Sequence, residues 1–183
     1  MILLGSDNRK IITSSYSRYN INCLFGWAIG EDDKNSTRHV IQIDQGGLTL
    51  PTPDYYENRT EIHRKVLKEY IEYMTKVCVL LGANETDARR QMEEIMEFET
   101  KIANITIPLE ERRNEEAMYH PMKLSELDKL APFINWTEHL DNAMELVNRS
   151  ITQREVVVVY APEFLKKLSV IIMDMQKTVE GKK

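Results

Sequence analysis

LFGWAIGEDDKNSTRHVIQIDQGGLTLPTPDYY, residues 24–56, is the stretch from which the rest of the chain is read. Leu24 to Ile29 is apolar and aromatic, and His39 to Ile43 sets Val40 among β-formers with Ile41 and Ile43 on one face. Between them lies GEDDKNST, whose Gly, Asp, Asn and Ser bond their own backbone in turns rather than nucleate a helix. Two short β-runs around such a turn predict a hairpin. Gly46 and Gly47 break its second strand, and Pro51 and Pro53 confine the chain to extended geometry before the next helix. Asn35-Ser36-Thr37 stands at the hairpin tip, an exposed place where an N-glycosylation sequon is usable.

Beyond the hairpin the spacing turns helical. From Glu61 to Leu81, Val66, Tyr70, Met74, Val77 and Leu81 recur at three and four, and Leu67, Ile71 and Cys78 widen the stripe. Gly82 ends this helix. A second, from about Thr86 to Ala103, turns Met92, Ile95, Met96, Ile102 and Ala103 inward, and the short Gly-Ala-Asn link makes the two an antiparallel pair. Pro108 opens a short charged helix, LEERRNEEAMYH, which Pro121 stops. Further short helices are expected over Leu124–Leu130 and from Trp136, with Leu140, Ala143, Met144 and Val147 on the Trp136 side.

EVVVVY, Glu155–Tyr160, reads as a strand buried on both faces, because four successive valines leave no wet face. Pro162 opens a last helix carrying Phe164, Leu168, Ile171, Ile172, Met175 and Val179 at helical spacing. Upstream, residues 1–22 have no clear period and form an unassigned leader, strand or loop. The expected fold class is therefore mainly α: amphipathic helices with one small β-hairpin and a short valine-rich strand, in a single region over residues 23–183.

Bulk properties bound the function. The 183 residues are 42% hydrophobic and 29% charged, with net charge −5 and the two signs interleaved, so no basic patch invites nucleic acid. No apolar run approaches the ~20 residues of a membrane-spanning helix, and MILLGS falls far short of a signal-peptide core. Cys23 and Cys78 neither impose nor forbid a disulfide. Asn35, Asn58, Asn84, Asn104, Asn135 and Asn148 each begin a sequon. The 11 Asn and 20 Ser plus Thr predict about 1.2 sequons by chance. That excess favours an extracellular or lumenal protein and, with no signal or anchor in view, a fragment.

Catalytic patterns are missing. His39, His63, His120 and His139 are never four apart, and H-E-x-x-H, which would set two imidazoles on one helix face for zinc, does not occur. His63 and His139 sit on acidic amphipathic helices and read as solvated surface. Glu93-Glu94 and Glu115-Glu116 read as solvated helix faces too, and no nucleophile elbow is present. The candidate site residues are thus the sequons, with Asn35 and Asn148 expected to be the most exposed. Asn104, beside the inward Ile102 and Ala103, ranks below them.

Several stretches nevertheless resemble one family. DDKNSTRHVIQIDQGGLTLP followed by DYY is similar to the N-terminal half of the neprilysin and endothelin-converting-enzyme family of zinc metallopeptidases. EFETKIANITIPLEERRNEEAMYHPM, LSELDKLAPFINW and EVVVVYAPEFLKKL follow in the family's order, so the resemblance runs from Leu24 to Leu168. It implies the ectodomain of a type II membrane protein, or a secreted one, that cleaves peptides with one zinc. The family's zinc-binding helix and downstream glutamate ligand lie C-terminal to the matched region. The resemblance therefore implies zinc in the parent enzyme and none bound by this chain.

What remains resembles the mostly helical lid part of a two-domain zinc metallopeptidase. Its implied partners are peptide substrates and the missing catalytic domain, with the membrane reached only through a missing N-terminal anchor. Two other readings stand beside this one. One is a free-standing secreted glycoprotein binding module without enzymatic activity; the other is an intracellular helical scaffold whose sequons are accidental.

Overall fold

β1 (Phe25–Asp32) and β2 (Asn35–Gln45) form the expected hairpin, with a tighter turn than composition implies. Most of the turn-forming run is itself strand, and only Asp33 and Lys34 bridge the two. Pairing runs regularly from Phe25↔Gln45 to Glu31↔His39, then slips so that Asp32 faces Asn35. Gly46 is required where the hairpin closes: a Cβ there would lie 2.7 Å from the Leu24 carbonyl carbon.

The computed structural model describes residues 24–57 and 60–180, which divide into two units. The leader, Cys23 and Asn58 lie outside the described residues. One unit holds the described chain up to Gly47 and from Ile107 onward; the other is Leu48–Thr106.

In the smaller unit, a 3-10 turn (Pro53–Glu57) stands where an extended segment was expected, since Pro53 also suits the first position of a tight helical turn. α1 (Glu61–Leu80) and α2 (Glu85–Ala103) then fold back on one another. Thr60 and Asn84 cap them, each side-chain oxygen accepting a backbone N–H of the first turn. Gly82, at φ +97°, breaks the chain between them.

The buried seam consists of Tyr56, Met96 and Ala103 against Leu67, Tyr70, Ile71 and Met74. Cys78 carries a free thiol 4.0 Å from the Met92 sulfur. Two expectations need correction. Val77 and Leu81 face outward, Leu81 84% exposed, and Ile95 is exposed as well. The packing stripe centres on Ile71, Met74 and Cys78, and fully buried Thr75 satisfies its hydroxyl on the Ile71 carbonyl. A single hydroxyl so bonded enters a seam that hydropathy alone would deny it.

The larger unit is built on a four-stranded sheet in the order β1-β2-β4-β3. The helix expected to follow Pro108 is instead a 3-10 turn (Leu109–Arg112), one helical turn, α3 (Glu115–Met118), and β3 (His120–Lys123). Asn114 divides it, its side chain accepting from Ala117 N to start α3 afresh. Pro121 sits inside β3, which is tolerable because β3 lies at the sheet edge.

α4 (Leu124–Leu130), α5 (Trp136–Met144) and α6 (Pro162–Glu180) stand where their patterns place them, but Val147, expected on the Trp136 side, lies beyond α5 in a 3-10 turn and is 67% exposed. β4 (Val156–Val159) is an inner strand, parallel to β2 with Ile41↔Val157 and Ile43↔Val159, and antiparallel to β3. Val157, Val158 and Val159 are fully buried, whereas Val156 is 42% exposed at the strand entrance. The two-sided burial therefore covers three valines rather than four.

Against this sheet lies an aromatic core. The Phe25 ring is 4.7 Å from Trp136 and 5.9 Å from Phe133, centroid to centroid. Trp136 donates its indole N–H to the Ala131 carbonyl at 2.9 Å, so its polar edge is satisfied in the interior. His139 is a further correction: it is 1% exposed, with its ring 5.5 Å from Phe25 and 6.4 Å from Trp27. It falls one turn after Trp136, on the face of α5 that packs on the sheet, so the acidic neighbours did not decide its orientation.

Candidate functional site: a charged clasp at the hairpin turn

The densest polar cluster among the described residues grows from the Asp-Asp-Lys turn. Asp32, 2% exposed, accepts the Lys34 N–H at 2.9 Å through Oδ1, the self-bonding expected of an aspartate in a turn. The Tyr119 hydroxyl donates to the same oxygen at 2.9 Å. Arg38 reaches Oδ2 with Nε at 2.7 Å and with Nη2 in an ion pair. The Lys34 N–H bond, then the Arg38 and Tyr119 bonds, hold the carboxyl below the usual aspartate range, although burial opposes them.

Adjacent groups extend the clasp. Asp33 Oδ2 accepts the Tyr160 hydroxyl at 2.6 Å, and Lys34 Nζ meets Glu116 at 3.2 Å while lying 5.9 Å from the Tyr119 ring centre. Burial, followed by the bond to Asp33, raises the Tyr160 phenol well above its ordinary value. Farther along β2, Asp44 accepts from Arg112 Nη2 at 2.6 Å.

Chemically this arrangement holds and does not transfer. Both Asp32 oxygens are occupied by donors, and its depressed affinity for protons makes it a poor general acid. The clasp instead ties the hairpin turn to residues over eighty positions away, an organising role. Tyr119→Phe is expected to lower the urea midpoint of unfolding with an unchanged slope, and Asp32→Asn to lower it further. Unchanged midpoints in both variants would show that the cluster contributes nothing to order.

The sequence reading recognised Asp32 and Asp33 only as turn formers and missed the cluster. Its single local signal is Arg38 six residues after Asp32; the Tyr119 and Tyr160 contacts depend on tertiary placement. Of the sequons, Asn35, Asn84, Asn104, Asn135 and Asn148 are all exposed. Asn84 and Asn135 act as helix caps through Oδ1, Asn35 accepts from Thr37 N at 3.1 Å, and Asn148 is left-handed at φ 53°. The histidines do not come together as ligands: His120 Nδ1 lies 3.0 Å from the Met118 carbonyl, and His139 is in the aromatic core. Among the described residues no three His, Cys, Asp or Glu side chains converge as a metal set.

Comparison with known proteins places the chain among relatives. The N-terminal sequence model of Peptidase family M13 matches residues 7–180. Neprilysin-3 of Drosophila melanogaster is 74% identical over 91% of the chain and 21% of its own length. An endothelin-converting enzyme homolog of Locusta migratoria is 51% identical over 95% of the chain and 24% of its own length. The chain thus spans about a fifth to a quarter of the curated relatives it matches. Inhibitor-bound zinc metalloprotease ZMP1 of Mycobacterium tuberculosis shares the fold, with a TM-score of 0.72, 22% identity, and coverage of 93% of this chain and 24% of that one.

Proposed function

Because the chain belongs to peptidase family M13, we propose that it is the N-terminal lid part of a membrane-anchored or secreted zinc metalloendopeptidase. It encloses the cavity that admits peptides and leaves bond cleavage to a region C-terminal to it. The carrying observation is the family match over residues 7–180, combined with a span of only 21% of the relative that is 74% identical. The names of the relatives favour peptides as the substrate class. An enclosing shell excludes water and folded proteins from the reacting centre, so its contribution is steric selection. No step of the reaction is assigned to a residue of this chain. Zinc, when bound in the parent enzyme, supplies Lewis-acid activation of the scissile carbonyl and of water.

The test separates the two parts. Purified alone, this chain is expected to bind no stoichiometric zinc and to show no chelator-sensitive cleavage of a neprilysin-type peptide. The C-terminal part alone is expected to lose discrimination between short peptides and unfolded protein chains, and co-expression with residues 1–183 to restore it. One equivalent of zinc on this chain would refute the division of labour. Full size selectivity in its absence would refute the lid.

The same reading makes the exposed sequons glycan acceptors on an ectodomain. Glycans are expected on Asn35 and Asn148 ahead of Asn58, Asn84, Asn104 and Asn135 when the protein is made in a eukaryotic secretory host. Mass spectrometry after glycosidase treatment checks this. Unmodified Asn35 and Asn148 alongside an occupied Asn104 would reverse the order.

A further inference from the structure

β2 and β4 meet over only part of their length. Their parallel ladder runs from Ile41↔Val157 to Ile43↔Val159, and upstream of Ile41 no pair joins the two. At this opening lies a cavity of about 300 Å³, lined by Arg38 to Val40 on β2 and by Thr152, Arg154, Glu155 and Val156. That volume stands at the lower end of small-ligand clefts.

The wall that leads into β4 is fixed before any ligand arrives. The Glu155 N–H donates to the Thr152 carbonyl at 2.9 Å and closes a turn, while the Thr152 hydroxyl accepts the Arg154 N–H at 3.4 Å. The N–H groups of Leu124 and Ser125 donate to the Glu155 and Gln153 carbonyls at 3.0 and 3.1 Å, which ties the turn to the start of α4. A preset turn spares a ligand the cost of ordering it.

Charge around the cavity is unequally committed. Arg38 pairs with buried Asp32, and Glu155 with Arg149. Arg154 is exposed and has no ion pair or side-chain hydrogen bond among the described residues. Nearby, Val156 is 42% exposed although the other three valines of β4 are fully buried. Strand alternation sets Val40 and Val156 on one face of the sheet, since Gln42 pairs with Val158. A free guanidinium thus stands beside an aliphatic surface.

We infer that this cavity binds an acidic peptide, with a glutamate or aspartate carboxylate on Arg154 and a neighbouring aliphatic side chain on Val156. A planar carboxylate matches the two-pronged guanidinium. Glu155, already on the wall, repels a dianion such as phosphate more than a carboxylate. The inference does not rest on the enclosing role proposed above.

The test titrates the isotopically labelled 183-residue chain with acetyl-Val-Glu-Val-amide and follows its backbone amide resonances. Those of residues 38–40 and 152–156 are expected to shift and saturate, with those of α6 unchanged. The neutral acetyl-Val-Gln-Val-amide is expected to bind about tenfold more weakly. Arg154→Gln is expected to weaken the Glu peptide by a similar factor and to leave the urea midpoint unchanged. The idea fails if the two peptides bind equally, or if Arg154→Gln binds the Glu peptide unchanged. It also fails if inorganic phosphate shifts the same resonances as strongly as the Glu peptide, as a mere anion site requires. Absence of any shift with the Glu peptide at about 10 mM would overturn it as well.

Discussion

Val157→Asp is expected to prevent stable folding of the larger unit. Val157 is fully buried on an inner strand, between Ile41 of β2 and Met122 of β3. The substitution removes a packed branched side chain, worth about 1.5–3 kcal/mol on burial. It also introduces a carboxyl that must remain charged and unpaired or take up a proton. Even the protonated form leaves polar atoms without partners, at roughly 1–3 kcal/mol or more. Together these approach the 5–15 kcal/mol total stability common for small domains.

On the function proposed above, the expected outcome in the full-length protein is misfolding and intracellular retention rather than slower catalysis. Surface expression and substrate affinity measured together discriminate the cases. Normal expression with altered peptide selectivity would mean that the strand lines a cavity instead of a core. Val156→Asp is the internal control, since that side chain is 42% exposed and should tolerate the charge.

A loss of stability in mild acid is the second large effect expected, and His139 is its source. Burial pushes its pKa from 6.5 down to about 4. Above pH 6.5 the imidazole is neutral in both folded and unfolded chains, and its contribution is complete. As pH falls below 6.5 the unfolded chain takes up a proton that the folded chain refuses, so stability declines until about pH 4. A shift of this size corresponds to about 3 kcal/mol across that window. Asp32 does not share it: its depressed pKa makes its own contribution fall away only below 3.8. Urea midpoints at pH 7.5, 5.5 and 4.5 for the wild-type chain and His139→Phe provide the check. The variant should show a flatter profile, and an equal decline in both would acquit this histidine.

His139 also shows where sequence reading stops. Its immediate neighbours, Glu138 and Asp141, make the local stretch look wet, yet the ring packs on Phe25, more than a hundred residues earlier. The Leu67–Met74 side of α1 was legible because a 3.6-residue period records which face is apolar. Val77 and Leu81 fit the same period and still point outward, because period gives a face and not the extent of what covers it. For the clasp, the turn chemistry of Asp32 was local and readable. Its bond to Tyr119, and that of Asp33 to Tyr160, join segments distant in sequence.

The sequence by itself determined the hairpin, the long helices and their stops, the burial of the valine strand and the family. Each of these follows from neighbours within a few residues, through backbone preference, side-chain period or an ordered set of motifs. Only the tertiary structure decided that β4 enters parallel beside β2 and that a histidine lies in the core. Those outcomes depend on which surfaces remain to be covered once the elements exist, and burial is a property of the assembled chain rather than of any segment.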